Sequence, residues 1–419
     1  MSTDQMMRMT VHRAWRSRSQ GRLALAGTLW LLAAPPLAVA QEPALIEGSG
    51  YATTLGSPME LAARLDRILA DPALTRAHLG LVVQVAETGE VLYERDGEKL
   101  FVPASNTKIV TAAVALDALG PAYRWRTSLV ADGDISDGVL NGDLWIVGGG
   151  DPQLGRETVA SWPELLGRAG IRRIAGDVIG DDRAFGGPQW GEGWYWHEVF
   201  ASWAAGVSAL QVWPNTVRAR LLPGARVGDP ARFELTRPGP ALPMAIDVRT
   251  GAPGSDVRLQ YEPPPEGGDV RMTGWIPASD TTNLHLATHH PTLYLLETLG
   301  EALADAGIEV EGRIRRVAGA ARPINPGWTH IASSDSLGAV VSEMLKQSDN
   351  QMAESILRTV GLEETGEGTA AAGLAVVGGV LARWGIEPGA MALSDGSGLS
   401  RYNRIAPSAM ARLLRAMWR

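Results

Sequence analysis

Lysine is scarce in this chain: Lys99, Lys108 and Lys346 are the three, and Lys108 stands three residues after Ser105. Residues i and i+3 share a helix face. The run Pro103-Ala104-Ser105-Asn106-Thr107-Lys108-Ile109-Val110-Thr111-Ala112-Ala113, read as a helix that starts at the serine, therefore brings Ser105 Oγ toward Lys108 Nζ. A serine hydroxyl is a poor nucleophile until a base takes its proton. A buried lysine can lose its own proton near neutral pH and serve as that base. The pair is a candidate for nucleophilic catalysis, although a Ser-x-x-Lys match is short enough to arise by chance.

Two further stretches carry polar groups on sharp turns. In Lys346-Gln347-Ser348-Asp349-Asn350, the Ser-x-Asn triplet sits between two helical segments and can aim a hydroxyl and an amide into one cleft. The hydroxyl could relay a proton to a leaving amine, and the amide could hold a peptide group. The same letters also suit a helix N-cap, with Glu354 placed to cap in return. In Leu393-Ser394-Asp395-Gly396-Ser397-Gly398-Leu399-Ser400-Arg401-Tyr402-Asn403, two glycines among small polar residues imply a tight turn or a close approach of another segment. That loop could be structural or could line a site.

Taken in order, Ser105-x-x-Lys108, Ser348-Asp349-Asn350-Gln351-Met352-Ala353-Glu354 and Asp395-Gly396-Ser397-Gly398-Leu399-Ser400-Arg401 resemble the D-Ala-D-Ala carboxypeptidase/endopeptidase family of class C low-molecular-mass penicillin-binding proteins. Gly142-Asp143-Leu144-Trp145-Ile146-Val147-Gly148-Gly149-Gly150-Asp151-Pro152 and Gly176-Asp177-Val178-Ile179-Gly180-Asp181-Asp182 are similar to the family's inserted domains. The resemblance implies a periplasmic serine peptidase that cuts D-Ala from peptidoglycan stem peptides, or hydrolyses D-alanyl cross-links, through an acyl-enzyme. β-Lactam antibiotics would acylate the same serine. On that reading Ser105 is the nucleophile and an oxyanion donor through its N–H, Lys108 is the base, and Ser348 and Asn350 relay the proton and position the substrate. Substrate contacts are implied at Glu198, Trp203 and Arg401. The first of these resembles an acidic residue that reaches toward the cleft, suited to the amino end of a diaminopimelate side chain. No cofactor is implied.

The family's third motif, Lys-Thr-Gly, is not found after the Asp395 loop, because no lysine follows Lys346. Arg249-Thr250-Gly251 is a similar triplet in the wrong chain order. The chain stops inside an apolar stripe of Met410, Leu413, Leu414 and Met417, which reads as a truncated core helix rather than a helix lying on a membrane. The expectation is a chain clipped before its central strands. Two competing readings follow: a non-catalytic peptidoglycan-binding protein without the third motif, or a β-lactamase, against which the large middle segment argues.

The elements that must position these residues are legible in part. Arg8, Arg13, Arg16, Arg18 and Arg22 precede an apolar run from Leu23 to Ala34 and a small-residue site at Ala38-Val39-Ala40. This is the pattern of a signal peptide over residues 1–40, with an exported protein after it. The chain has 46 acidic against 38 basic side chains and a net charge of −8, which argues against nucleic acid and anionic lipid as partners. It has no cysteine, so thiol catalysis and disulfides are excluded. His289-His290 lacks the spacing of a zinc site. Leu79–Val85 and Val91–Arg95 flank a glycine turn and read as a hairpin, and the Ser105 helix stops at Gly120-Pro121. From Trp125 to Asn283 short strands and turn clusters suggest a β-rich insert. Helical periodicity returns from Leu293 to Ala306, from Leu337 to Gln347 and from Gln351 to Val360. The fold expected is α+β: a transpeptidase-like domain over 41–125 and 285–419, an antiparallel sheet with helices on both faces, interrupted by a β-rich insert of one or two subdomains over 126–284.

Overall fold

The structure, a computed structural model, describes residues 57–418 apart from 237–241, 243, 263–269 and 320–322. The signal-peptide segment lies outside the described residues. In chain order the elements are α1 (Pro58–Leu69), β1 (Leu81–Gln84), β2 (Val91–Arg95), α2 (Thr107–Leu119), β3 (Arg126–Ser136), β4 (Val139–Val147), α3 (Arg156–Arg168), β5 (Arg173–Ile174) and β6 (Val178–Asp181). There follow β7 (Thr216–Leu222), β8 (Arg232–Leu235), β9 (Met244–Gly251), β10 (Arg258–Glu262), β11 (Val270–Pro277), β12 (Thr282–Ala287), α4 (Pro291–Asp305), β13 (Glu309–Val310), β14 (Ile314–Arg316) and β15 (Pro326–Ser333). The chain then forms α5 (Leu337–Gln347), α6 (Asn350–Thr365), α7 (Ala370–Arg383), β16 (Met391–Ala392), β17 (Arg404–Ile405) and α8 (Pro407–Trp418). Among the described residues no single helix is long and apolar enough to cross a membrane.

Local sequence explains the boundaries. At α1, Ser57 and Glu60 cap each other reciprocally ahead of Pro58, which has no N–H to lose. Gly120 ends α2 with φ 76°, a conformation a side chain would resist. Asp137-Gly138, with φ 50° and 83°, turns β3 into β4, and the two mirror-type dihedrals match the twist of the hairpin. β1 and β2 pair antiparallel as the sequence suggests.

Two large apolar cores result among the described residues. One gathers Val110, Val114, Trp125, Leu337, Val340, Met344, Met352, Ile356, Val360, Val377, Leu381 and Leu413, and so joins α2, α5, α6, α7 and α8. α8 contributes Ala409 and Leu413 to this core, as the core-helix reading expects, while Leu414 and Met417 remain exposed. Strands in this helical region amount, among the described residues, to the β1–β2 and β16–β17 ladders. The broad antiparallel sheet expected of the catalytic domain is not among them.

The second core belongs to the insert. It packs Leu129, Leu144, Ile146, Trp162, Leu166, Ile174, Val178, Leu210, Val217, Leu286, Leu295 and Leu299. Its seven-stranded sheet is mixed: β3 pairs antiparallel with β4 and β15, whereas β4 runs parallel to β5 and β6. Two three-stranded sheets, β10-β11-β9 and β12-β7-β8, complete it.

The expected domain boundary at residue 284 needs correction. α4 packs its Leu295, Leu296, Leu299 and Leu303 into the insert core, and β15 closes the edge of β3 from Pro326↔Asp132 to Ser333↔Arg126. The insert therefore runs on to Ser333, and the catalytic part resumes at α5. Helical periodicity over 293–306 identified a buried face without saying which core buries it. Arg249-Thr250-Gly251 ends β9 inside the insert, where Thr250 Oγ1 accepts from the Gly224 N–H at 2.8 Å.

Candidate active site

Ser105 lies on a 3-10 turn, Ala104–Asn106, that leads into α2. Ala104 ahead of it has φ 48°, a left-handed conformation that an alanine adopts at a cost. The turn fits because Gly398 packs on it: a Cβ there would stand 1.8 Å from the Ala104 carbonyl oxygen. Ser105 is exposed while Lys108, one turn below on the same face, is 1% exposed. The helix spacing thus puts a hydroxyl at the surface above an amine in the core.

The Ser105–Lys108 hydrogen bond expected from spacing is not formed. Lys108 Nζ donates instead to Asn350 Oδ1 at 2.6 Å and to the Ser397 carbonyl at 2.7 Å. The Ser105 oxygen accepts from the Ser348 hydroxyl at 2.8 Å. Ser348 is therefore the group that touches the candidate nucleophile, and Lys108 is tied to the motif that carries it.

α5 ends at Ser348 with φ 57°, and this left-handed residue turns the chain directly into α6. The N-cap of α6 is Asp349, whose carboxylate accepts from the Met352 N–H, so Ser348 is free of capping and faces Ser105. Glu354 does not cap in return. It is fully buried, and its Oε1 accepts from the N–H groups of Gly396 and Ser397 at 2.8 and 3.1 Å. Asn350 also donates through Nδ2 to the Trp203 carbonyl at 2.8 Å, tying the insert to the motif.

The Asp395 loop is organised by one buried carboxylate. Asp395 Oδ2 accepts from Ser397 Oγ, the Ser400 N–H and Trp194 Nε1, and Oδ1 accepts from the Gly398 N–H and Asn403 Nδ2. Thr111, three residues beyond Lys108, donates to the Gly396 carbonyl at 2.6 Å. The loop is wedged between α2 and α6, which fixes the carbonyl that Lys108 uses.

Burial pushes Lys108 down from its ordinary value to about 8, against the pull of Asp395, Asp349 and Glu354, which favour the charged form. Burial also pushes Glu354 up to about 7, with Asp395 adding to it and Arg358 and the two loop N–H groups opposing. The amine is thus poised within reach of neutral pH, where a base that must first be deprotonated is useful.

The remaining expected residues fall on the rim. Trp203 is 56% exposed, and its backbone rather than its ring reaches Asn350. Arg401 lies over the Tyr195 ring at 5.7 Å. Glu198 is half-buried in a 3-10 turn of the same insert segment, with no side-chain hydrogen bond among the described residues. His197 stacks on Tyr195, as befits a surface neighbour. Among the described residues no group of acidic and histidine side chains could hold a metal ion. Trp194 and Asn403 carry the site's internal order without having been singled out from sequence, and Glu354, which the sequence offers only as a cap, joins them. A Trp or Asn within a loop gives no signal of its partner.

The model of the D-Ala-D-Ala carboxypeptidase 3 (S13) family matches residues 61–418. The chain belongs to that family. It is 32% identical over 391 residues to a D-alanyl-D-alanine carboxypeptidase of Actinomadura sp. (strain R39), covering 91% of this chain and 71% of the relative. It is 26% identical to the D-alanyl-D-alanine carboxypeptidase DacB of Haemophilus influenzae, over 81% of this chain and 70% of that protein. The crystal structure of penicillin binding protein 4 (dacB) from Haemophilus influenzae superposes with a TM-score of 0.73 at 25% identity, covering 81% of this chain and 75% of that one. This carboxypeptidase has the α+β class of its relatives. Its Ser105, Lys108, Ser348 and Asn350 meet within one cluster across two segments that lie far apart in sequence.

Proposed function

We propose that this S13-family carboxypeptidase is exported to the periplasm and cleaves the D-Ala-D-Ala ends of peptidoglycan stem peptides, or D-alanyl cross-links, through an acyl-enzyme on Ser105. The observation that carries this is the exposed Ser105–Ser348 hydroxyl pair above a buried amine that burial has shifted to about 8. Once deprotonated, Lys108 takes the Ser105 proton, directly or through Ser348. Ser105 Oγ bonds to the penultimate D-Ala carbonyl carbon, the C–N bond breaks, and the terminal D-Ala leaves with that proton. Water then repeats the sequence on the ester. A β-lactam offers a strained amide in place of the substrate amide and acylates the same oxygen. Export is read from residues 8–40, and the name penicillin binding protein 4 of the Haemophilus structure favours β-lactam binding.

The test is to label the protein with a fluorescent penicillin and map the adduct by peptide mass. Attachment to Ser105 supports the reading; an adduct on Ser348 or Ser397 overturns it. The rim is tested separately. Glu198, with its carboxylate unpartnered among the described residues, is read as the partner of a diaminopimelate amino group. Glu198→Gln is expected to lower turnover of peptides carrying that amine about ten- to a hundredfold relative to simple depsipeptides. Equal losses on both would assign Glu198 to the fold instead.

A further inference from the structure

Asn350 and Glu354 are four residues apart on α6 and so share a face, one turn deep. Asn350 accepts from Lys108 Nζ directly, at 2.6 Å. Glu354 holds, through Oε1, the two N–H groups of the Gly396–Ser397 segment whose Ser397 carbonyl is the other acceptor of the same Nζ. Both of the ammonium's hydrogen bonds thus trace back to one helix face. Glu354 is itself incompletely satisfied. Its Oε2 is buried with no hydrogen-bond partner among the described residues. Arg358, one turn further along α6, donates instead to the carbonyls of Gly186 and Pro188. A buried carboxylate with an idle oxygen and no ion pair is costly to keep for packing alone.

We propose that Glu354 is a positioning residue for Lys108: its carboxylate clamps the Gly396–Ser397 backbone so that the Ser397 carbonyl meets Nζ, and its charge governs when Nζ becomes a free base. This rests on the reading of Lys108 as the base of the acyl transfer. The other charged groups facing this network are Asp395 in the loop, Asp349 at the start of α6 and Arg358 on α6. Ionised Glu354 favours the ammonium, so neutralising it lets Lys108 deprotonate at lower pH. Burial draws the two groups' titrations toward each other, Glu354 up and Lys108 down, so they overlap and couple.

The scarcity of lysine supplies the test. In protein labelled at the lysine ε-carbon, the signals belong to Lys99, Lys108 and Lys346, and the two exposed ones, Lys99 and Lys346, serve as internal references. Titration of the Lys108 signal in the wild type should show two steps, a small one from Glu354 and the main one of the amine. In Glu354→Gln, which keeps an oxygen for the loop N–H groups, the small step should vanish. The main step should move down by roughly half a pH unit or more, and the acid limb of penicillin acylation should move with it. Asp395→Asn is the control and should keep the small step, moved to lower pH because Asp395 helps to raise Glu354. An unmoved midpoint in Glu354→Gln overturns the proposal. If that variant does not fold, a single-step wild-type titration overturns it, and a small step that survives in Asp395→Asn supports it. Absence of any Ser105 adduct in the wild type would count against the catalytic reading and leave the titration result standing.

Discussion

In the helical core Lys108, Glu354 and Arg358 are all nearly inaccessible, yet none of them is ion-paired with another; carbonyls, loop N–H groups and one amide hold them instead. In the β-rich insert two buried acids meet arginines head on, Asp181 with Arg183 and Asp182 with Arg316. Asp182 also collects the hydroxyls of Ser208 and Thr292. A buried charge that is paired fixes the arrangement it sits in, because losing the partner leaves it uncompensated. One held only by neutral groups keeps a shifted ionisation that chemistry can draw on. The two regions therefore divide the work: the insert is built to hold, and the helical core is built to titrate.

The sharpest way to break this contrast is to delete the buried amine. Lys108→Met should slow acylation of Ser105 by about 10²–10⁴-fold, the usual worth of a general base. It should not lower the melting temperature at pH 7. Lys108 falls from its ordinary 10.5 to about 8 in the folded protein, so the stability it confers is present above its unfolded value and lost as pH falls through 8. At pH 7 the charged amine is a net cost that methionine removes. Acylation rates and thermal melts of the two proteins decide the matter, and a large loss of stability would mean that the amine is structural.

The converse experiment is in the insert. Asp182→Ala strips two buried hydroxyls of their acceptor, which should cost roughly 2–4 kcal/mol in chemical denaturation. Acylation per folded molecule should stay within about twofold. A collapse of acylation in the folded protein would show that the insert tunes the site rather than supporting it.

How far these roles were legible in sequence follows the same division. The placement of Ser105 ahead of Lys108 at a helix start, and of Ser348 and Asn350 on one interhelical turn, was readable because it depends on short-range spacing, which is what sequence displays. The limits of α5 were readable for the same reason. The reach of the insert was not, since the apolar face of α4 and the edge pairing of β15 with β3 become meaningful only once the opposing surface exists. Glu354 reads as a cap in sequence because the polar residues that precede it are visible there, whereas the Gly396 and Ser397 N–H groups arrive from far along the chain. The direct Ser105–Lys108 hydrogen bond failed likewise: two long-range acceptors occupy the amine.

Asp151 tests whether an unpaired buried charge is enough to mark function. It lies just after β4, 7% exposed, and burial with help from Asp335 pushes it up from 3.8 to about 6. A carboxyl raised in this way gives stability that is fully present below its unfolded value and lost as pH rises through 6. Asp151→Asn should therefore flatten the pH dependence of stability between about pH 4 and 6, and stabilise the protein at pH 7 by roughly 1–3 kcal/mol. Acylation should be unaffected. A changed acylation profile would extend the titrating region into the insert.

The smallest expected effect lies where the two regions touch. Trp194, on an insert loop, donates its indole N–H to Asp395 Oδ2 at 2.8 Å, and Gly193 beside it leaves room for Ser400 and Tyr402. Trp194→Phe keeps most of the ring and removes that one hydrogen bond, while Ser397 Oγ and the Ser400 N–H still satisfy the oxygen. The loss should be about 1–2 kcal/mol, near the worth of one hydrogen bond to a charged acceptor. What distinguishes this position is that both readouts should move together, because Asp395 shapes the loop whose Ser397 carbonyl holds Lys108. A several-fold slower acylation should accompany the lost stability. Pairing Trp194→Phe with Asp395→Asn in a double-mutant cycle should give a coupling on the order of 1 kcal/mol. Additive effects in that cycle, with acylation unchanged in Trp194→Phe, would mean that the insert merely rests against the loop and that Lys108 is set by α2 and α6 without it.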